Sequence, residues 1–485
     1  MATSLFQSYH TFLTSFFGAH SARLAKETGF VHRNSPITGS LFIRSLVWTA
    51  FQHDRLTLNA LTATAEQLDS SCQVSQQAFH LRFTPQAVAF LQSMLLVALH
   101  YSLPHPQLVL PLVSAFSAVY LLDSSAVAFP DSLQDQFAGC GGDGPRAAAK
   151  IYFLLDWLTG SYSTIAVGQA KQADQNRGRD FLAHNRAGAL WIMDLGFWNL
   201  DLLKSISDAG AYFIFRLQSQ TAVSIKESSS AVVKFDLDRF LKFAPRDKSF
   251  EMAICLGRKQ RLACRLICFR VNDEIANQRR RRARAAALRR GRTITKRHLR
   301  RQAWTLFVTN VEPHQIATTA VAAVYSIRWQ VELAFKLAKS EAGLDKSNSE
   351  KASRVMCEFY AKLIALVLFD HLLAGVRESG KERISPTKAW RRLRDRLCGW
   401  GKAILSSQGV SELRRIAEYL RRRAKTDRKK KQPSTVEKVR SALKGAKNRQ
   451  LIKPMGYLKK RSRGEEINPA CFFRNSFPIE RQALV

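Results

Sequence analysis

Along YSIRWQVELAFKLAK, the residues Tyr325, Arg328, Glu332 and Lys339 recur at spacings that an α-helix gathers onto one face. At about 100° per residue, with Tyr325 as origin, Arg328 falls near about −60°, Glu332 near about −20° and Lys339 near about −40°. A carboxylate there could bind a hard cation, while two cations and a phenolic hydroxyl could hold an anion. The plain alternative is the polar face of an amphipathic helix, with Arg328 and Glu332 as an i,i+4 charge pair. Two more acids stand out by their surroundings. Asp123 in SAVYLLDSSAVAFP and Asp194 in GALWIMDLGFW each end an apolar, strand-like run. An unpaired carboxylate is costly there. Metal binding removes that cost, and so does a salt bridge to one of the many arginines.

The elements that must position these groups show as changes of period. VYLLDSS, AAAKIYFLLDW and YSTIAVG read as three strands, with the Gly-rich turn Gly139–Pro145 between the first two. KQADQNRGRDFLAHN can carry a helix, GALWIMDLGFW is a fourth strand, and NLDLLKSISDAG is a helix with Gly210 just past its end. AYFIFRL gives a fifth strand. This order predicts an α/β layer with Asp123 and Asp194 on neighbouring strands. TLFVTNV is a further strand, and a long helical region from about Pro313 to Gly343 carries the Tyr325–Lys339 stripe. Trp198 and Trp329 are expected in the core.

The first hundred residues are helical by pattern. Within Leu56–Arg82 a helix ends near Leu68, DSSCQ turns, and a second helix starts at Val74. The spacing resembles a helix-turn-helix presenting Ser75, Gln76, Gln77 and His80 to a DNA groove; an ordinary helical hairpin reads the same way. Residues 218–303 look like an insertion, with strands at AVVKFDLD, FEMAICLG and LACRLICFRV. Arg279–Arg301 follows with twelve Lys/Arg and no acid. Starting at Arg279, Arg280, Arg281 and Arg282, it reads as a phosphate-facing arm or as a solvated face. Past 376 the chain is strongly basic, helical to about Arg423, and then a linker and tail with disorder expected over much of 425–485.

Composition narrows the partners. The 485 residues carry 75 Lys+Arg against 38 Asp+Glu, a formal charge of +37, with a pI near 10.4. With 46% hydrophobic and 10% aromatic residues, wholesale disorder is excluded. The charge implies a polyanion, nucleic acid first and an anionic membrane surface second. The apolar run Leu363–Val376 is broken by Asp370 and His371 and falls short of the ~20 apolar residues of a spanning helix. The N-terminus lacks the basic start and cleavage site of a secretory signal. Eight scattered cysteines without paired CxxC motifs predict no zinc site, no disulfide framework, and a reducing cytosol.

Y-x2-R-x3-E-x6-K, matched at Tyr325, Arg328, Glu332 and Lys339, resembles the signature of DDE transposases of bacterial insertion sequences, the IS-four group. VYLLDSS resembles the family's first-aspartate motif at Asp123, with Ser125 where threonine is common. WIMDLGFWN resembles the second, D-x-G-F/Y, at Asp194. GFVHRNSPITG and QAFHLRFTPQAVAFLQ resemble the family's N-terminal domain, so the likeness spans roughly residues 20–375. It implies a ribonuclease-H-like α/β catalytic core over 106–375, interrupted by a β-rich insertion at 218–303. A helical DNA-binding domain at 1–105 would precede it. A helical region at 376–423 and a basic linker and tail at 424–485 would follow.

The same resemblance implies binding of terminal inverted repeats, metal-dependent strand cleavage and strand transfer to target DNA, often through a hairpin. A homodimer in the synaptic complex, a cytoplasmic, nucleoid-associated location and no membrane partner come with it. Asp123, Asp194 and Glu332 would be the catalytic acids and would hold two Mg²⁺ (or Mn²⁺) ions, hard cations that suit carboxylates. Arg328 and Lys339 would grip phosphates and the Tyr325 hydroxyl a terminal phosphate. Trp304, beside the basic arm, would stack on a flipped base at ~1–3 kcal/mol, or anchor the insertion to the core. Other readings are a catalytically inactive or domesticated DNA-binding relative, and a nuclease that cuts without joining.

Overall fold

After α1 (Ala2–Ser15) and α2 (Ser21–Glu27), the next four helices are set by their capping residues. Thr38, Thr57, Ser75 and Thr84 each accept a hydrogen bond from the backbone N–H three residues on, which satisfies one of the orphan donors of a helix start. They open α3 (Gly39–Gln52), α4 (Leu58–Leu68), α5 (Gln76–Leu81) and α6 (Pro85–His100), the last with Pro85 in its first turn. The computed structural model describes residues 2–33, 35–101, 115–226, 232–244, 249–378, 383–395, 401–426 and 435–446. The chain divides into two compact units, each built from separated segments. The first is Met1–Leu108, Val119–Ala173 and Trp329–Gln432; the second is Val109–Ala118, Asp174–Arg328 and Pro433–Val485.

In the first unit, β1 (Ala118–Phe129), β2 (Ala147–Asp156) and β3 (Ser161–Gln169) form an antiparallel meander in the order β3-β2-β1. The N-terminal helices belong to this same unit because they bury their apolar faces against a long C-terminal helix (Ala352–Glu378). Ser353 bonds the Phe83 carbonyl at 2.8 Å, Gln92 bonds the Tyr360 hydroxyl at 2.8 Å, and Tyr9 bonds the Leu368 carbonyl at 2.7 Å. Ala352–Arg377 is long and apolar enough to cross a membrane by length and composition, yet 94% of its most apolar window is buried inside the protein. The sequence reading counted only Leu363–Val376. The helix begins three turns earlier, with Arg354, Glu358 and Lys362 all buried.

In the second unit, β4 (Ala189–Met193) and β5 (Tyr212–Arg216) are parallel and joined through a helix (Leu200–Asp208) that Asn199 caps. The sheet continues antiparallel, in the order β4-β5-β10-β9-β8-β6-β7, with β6 at Val223–Lys226, β7 at Val232–Lys234, β8 at Phe250–Leu256, β9 at Leu262–Arg270 and β10 at Trp304–Thr309. Within 218–303 a short helix (Leu237–Phe243) lies between β7 and β8, and two more helices follow β9. The run Arg279–Arg301 is no extended arm: it forms the end of one helix (Asp273–Arg289) and all of another (Lys296–Arg301). The expected tail lies mostly outside the described residues, apart from a helix at Thr435–Ala446.

Candidate active site

The stripe read as one helix is in fact two. Thr318–Tyr325 ends at a 3-10 turn, Ser326–Arg328, and a new helix begins at Trp329 and runs to Ser340. The uniform 100° step therefore fails between Tyr325 and Glu332. Tyr325 and Arg328 belong to the second unit, Glu332 and Lys339 to the first.

In the first unit, the helix Trp329–Ser340 lies on the β1–β2 face. Asp123 is paired in register with Phe153 of β2, and directly opposed residues of antiparallel strands project on the same face. The Phe335 ring stacks on Phe153, centroids 4.2 Å apart and planes 8° apart. Lys339 Nζ donates to the Ala126 carbonyl at 2.6 Å. Glu332 is one turn before Phe335, so helix and strand bring Asp123, Glu332 and Lys339 to one face. Both acids are half-buried, and the Asp123 carboxylate accepts the Ser124 N–H at 2.8 Å. Lys339 thereby ties helix to strand, and burial lowers its pKa.

What fixes the far end of that helix was not foreseen. Gly343 follows it at φ +59°, and a Cβ there would meet the Asp54 carbonyl oxygen at 2.6 Å, so only glycine suits. Lys362 Nζ donates to the carbonyls of Gly343 at 2.7 Å, Asp54 at 2.8 Å and Lys346 at 2.5 Å. Burial lowers its pKa to about 8, against the pull of Glu358 and Asp54. Glu341 is held by both arms of the Arg391 guanidinium, at 2.9 and 2.7 Å. The signal available in the sequence was charge at i, i+4 and i+8 (Arg354, Glu358, Lys362) inside an otherwise apolar helix.

In the second unit, Asp194 stands immediately after β4, half-buried; its carbonyl accepts the Phe197 N–H at 3.1 Å, while its carboxylate does not cap the 3-10 turn it starts. At Gly196 of the same motif a Cβ would stand 3.0 Å from an Asp174 carboxylate oxygen, a tight contact that glycine relieves. Tyr325 donates to the carbonyl of Met193, beside Asp194, at 3.3 Å. Its hydroxyl is thus used inside the protein, and the ring packs on Phe307. Burial pushes that hydroxyl up to about 12, opposed by Arg328, with Asp194 adding to the rise and Arg216 opposing it. Arg216, the exposed last residue of β5, joins this cluster and was missed; its only signal was a basic residue closing the apolar run AYFIFRL.

The remaining expectations divide. Trp304 is 6% exposed, packed against Phe250 with the Arg270 guanidinium over its ring. That environment fits the anchor and leaves no open ring face for a base. Trp198 is buried, whereas Trp329, expected in the core, is 54% exposed. Gln76 and Gln77 are exposed and His80 half-buried on α5. However, α5 has six residues and follows the connection Asp69–Ser75, longer than the roughly three or four residues of a helix-turn-helix. The His80 pKa is lowered by burial and by Lys351 and Arg354. Arg279 and Arg280 are half-buried and bonded within the protein; Arg281 and Arg282 are exposed. Among the described residues, no three His, Cys, Asp or Glu side chains stand grouped so as to hold a metal ion.

Both units carry carboxylates beside the strands and helices expected of a phosphodiester-processing enzyme, and the comparison with known proteins agrees in class. A family model described as the transposase DDE domain matches residues 114–368, and the chain belongs to that family. The transposase for insertion sequence element IS231E of Bacillus thuringiensis subsp. finitimus is 26% identical over 413 residues, covering 81% of this chain and 85% of its own. That for IS1151 of Clostridium perfringens is 26% identical over 387 residues, covering 76% and 81%. A solved piggyBac transposase synaptic complex with hairpin DNA aligns at a TM-score of 0.45 and 10% identity, covering 88% of this chain and 87% of that one.

Proposed function

We propose that this transposase binds the terminal inverted repeats of its insertion sequence, cuts the DNA at those ends and joins the 3′-hydroxyl to target DNA. Asp123, Asp194 and Glu332 are its acids. The seating of the helix Trp329–Ser340 on the β1–β2 face carries this reading, since it sets Glu332 on the face that Asp123 shares. The donor set is oxygen only, which suits Mg²⁺ or Mn²⁺. Asp123, Asp194 and Glu332 would hold two such ions, which would supply charge neutralisation for in-line displacement and activation of a water or 3′-hydroxyl. The chain's own part is positional. Lys339, Lys362 and Glu341 keep Glu332's helix in place; Tyr325 ties the strand end bearing Asp194; Arg328 and Arg216 offer guanidiniums to phosphate. The three strands of the first unit and the parallel β4–β5 pair of the second support a ribonuclease-H-like core. Synapsis of two ends calls for a dimer on DNA.

Incubation with Mg²⁺ and the element's terminal DNA, followed by mapping of 3′ ends, tests the reading. Asp123→Asn, Asp194→Asn and Glu332→Gln should each lower cleavage by at least ~10²-fold while end binding persists. Near wild-type cleavage by any one of them removes that residue from the site, and binding without any cleavage by the wild-type chain makes it a DNA-binding relative. Cut ends that never appear joined to target DNA make it a nuclease.

A further inference from the structure

The helices Asp273–Arg289 and Lys296–Arg301 enclose a cleft of about 590 Å³ lined by Asn277, Arg280, Arg281, Arg284, Leu299 and Arg300. We infer that this cleft is a binding site for the sugar-phosphate backbone of duplex DNA, in a role that rests on the function proposed above. Three observations within the second unit carry it.

The first is direction. Asn277, Arg281 and Arg284 stand at i, i+4 and i+7, within about 60° of one another on the helix, and this stripe faces the cleft. Arginines on a merely solvated helix have no reason to share one wall with a basic residue from a second helix.

The second is division of labour within one basic run. Arg279 bonds the Trp304 carbonyl at 3.3 Å and the Thr305 hydroxyl at 3.1 Å. Arg297 and Arg301 pair with the buried Asp238 carboxylate. Arg280 ties the walls together through the Leu299 carbonyl at 3.2 Å and Asn277 at 2.8 Å. These contacts fix the helical pair to β10 and to the helix Leu237–Phe243. Arg281, Arg284 and Arg300 are exposed, and among the described residues none has an assigned acidic partner.

The third is chemistry. Guanidiniums gathered without counter-charge repel one another, and an anion inserted among them reverses the sign of that interaction. Their planar forks match phosphate oxygens. With four cations in the lining, phosphate contact dominates the grip, and phosphate contacts position a duplex without reading its sequence.

The test uses the full chain without divalent metal, with anisotropy of labelled duplexes, end sequence and random, across a salt series. The R281Q/R284Q/R300Q variant should flatten the slope of log affinity against log salt by about three units and weaken both duplexes equally, so that preference for the end is unchanged. R281K/R284K/R300K, which keeps the charges, should keep the slope and lose affinity through the missing forks. The control R258Q/K259Q/R261Q, removing equal charge from the exposed β8–β9 turn, should flatten the slope by less than about one unit. An unchanged slope in the glutamine variant, or an equal loss in the control, overturns the site. Tighter binding of single-stranded RNA than of duplex by the wild-type chain also overturns it. Because no cleavage is measured, failure of the cleft leaves the acids untouched; a wild-type chain that binds no duplex at all fails the larger reading instead.

Discussion

At the scale of single residues, the types were readable and their partners were not. Asp123, Asp194 and Glu332 could be picked out because acids at the ends of apolar runs, or in a spaced stripe, need a reason to be there. The uses of Tyr325 and Lys339 could not, because a carbonyl of Met193 or Ala126 leaves no mark in the spelling of a sequence. Trp304 shows the same limit: next to a basic run it reads equally as a stacking platform or an anchor, and only burial decides. Trp304→Ala should destabilise the protein by about 3–5 kcal/mol, as for other buried aromatic deletions. Trp304→Phe should fold and cleave like wild type. Chemical denaturation beside the cleavage assay separates the outcomes; a stable Trp304→Ala protein that binds DNA but no longer cuts would restore the base-stacking role. Arg328→Ala should lower DNA affinity and cleavage together, whereas Glu332→Gln lowers cleavage alone. Gel shifts and cleavage measured on the same preparations distinguish them.

At the scale of elements, strands were the best-read features. The apolar, β-rich runs VYLLDSS, AAAKIYFLLDW and YSTIAVG are local signals with local causes. The break at Ser326–Arg328 was not, since nothing in YSIRWQVE forbids one continuous helix. The long helix Ala352–Glu378 was misjudged in extent for a related reason: Asp370 and His371 looked like interruptions of an apolar run, but the helix carries both, His371 buried and Asp370 half-buried. Burial pushes the Asp370 carboxyl up to about 7, opposed only by Arg377, and one of its oxygens has no hydrogen-bond partner. The folded state therefore keeps a proton that the unfolded chain has lost between the ordinary carboxylate value and pH 7. Stability from this group falls as pH rises through that window. Asp370→Asn should remove the effect, gaining on the order of 4 kcal/mol at most above pH 7 and little below pH 4. Thermal melts of both proteins across pH 4–8 test it, and parallel curves would show that Asp370 ionises in the folded state as freely as in water.

At the scale of the whole molecule, charge pointed correctly to a polyanion, but segment boundaries ran differently from the boundaries of packing. Each unit gathers chain from distant places, and hydrophobic patterning reports which face of a helix is buried without naming its cover. The first unit has a consequence in time. Its opening helices and strands leave the ribosome long before Trp329–Gln432, the segment that covers them, because Asp174–Arg328 is made in between. At ~5–20 residues per second, that wait lasts on the order of ten seconds. Throughout it, the faces of α3 and α6 that meet the late helix are open to chaperones. A chain halted at Arg328 should yield no protease-resistant N-terminal fragment in limited digestion of ribosome-bound chains, and one released beyond Gln432 should. A protected fragment from the halted chain would mean that the early helices fold unaided. Glu332 is made with the late segment, so an interrupted round of synthesis releases a polypeptide without the third of the acids proposed above. On that proposal, a half-made chain lacks the carboxylate set for cutting DNA.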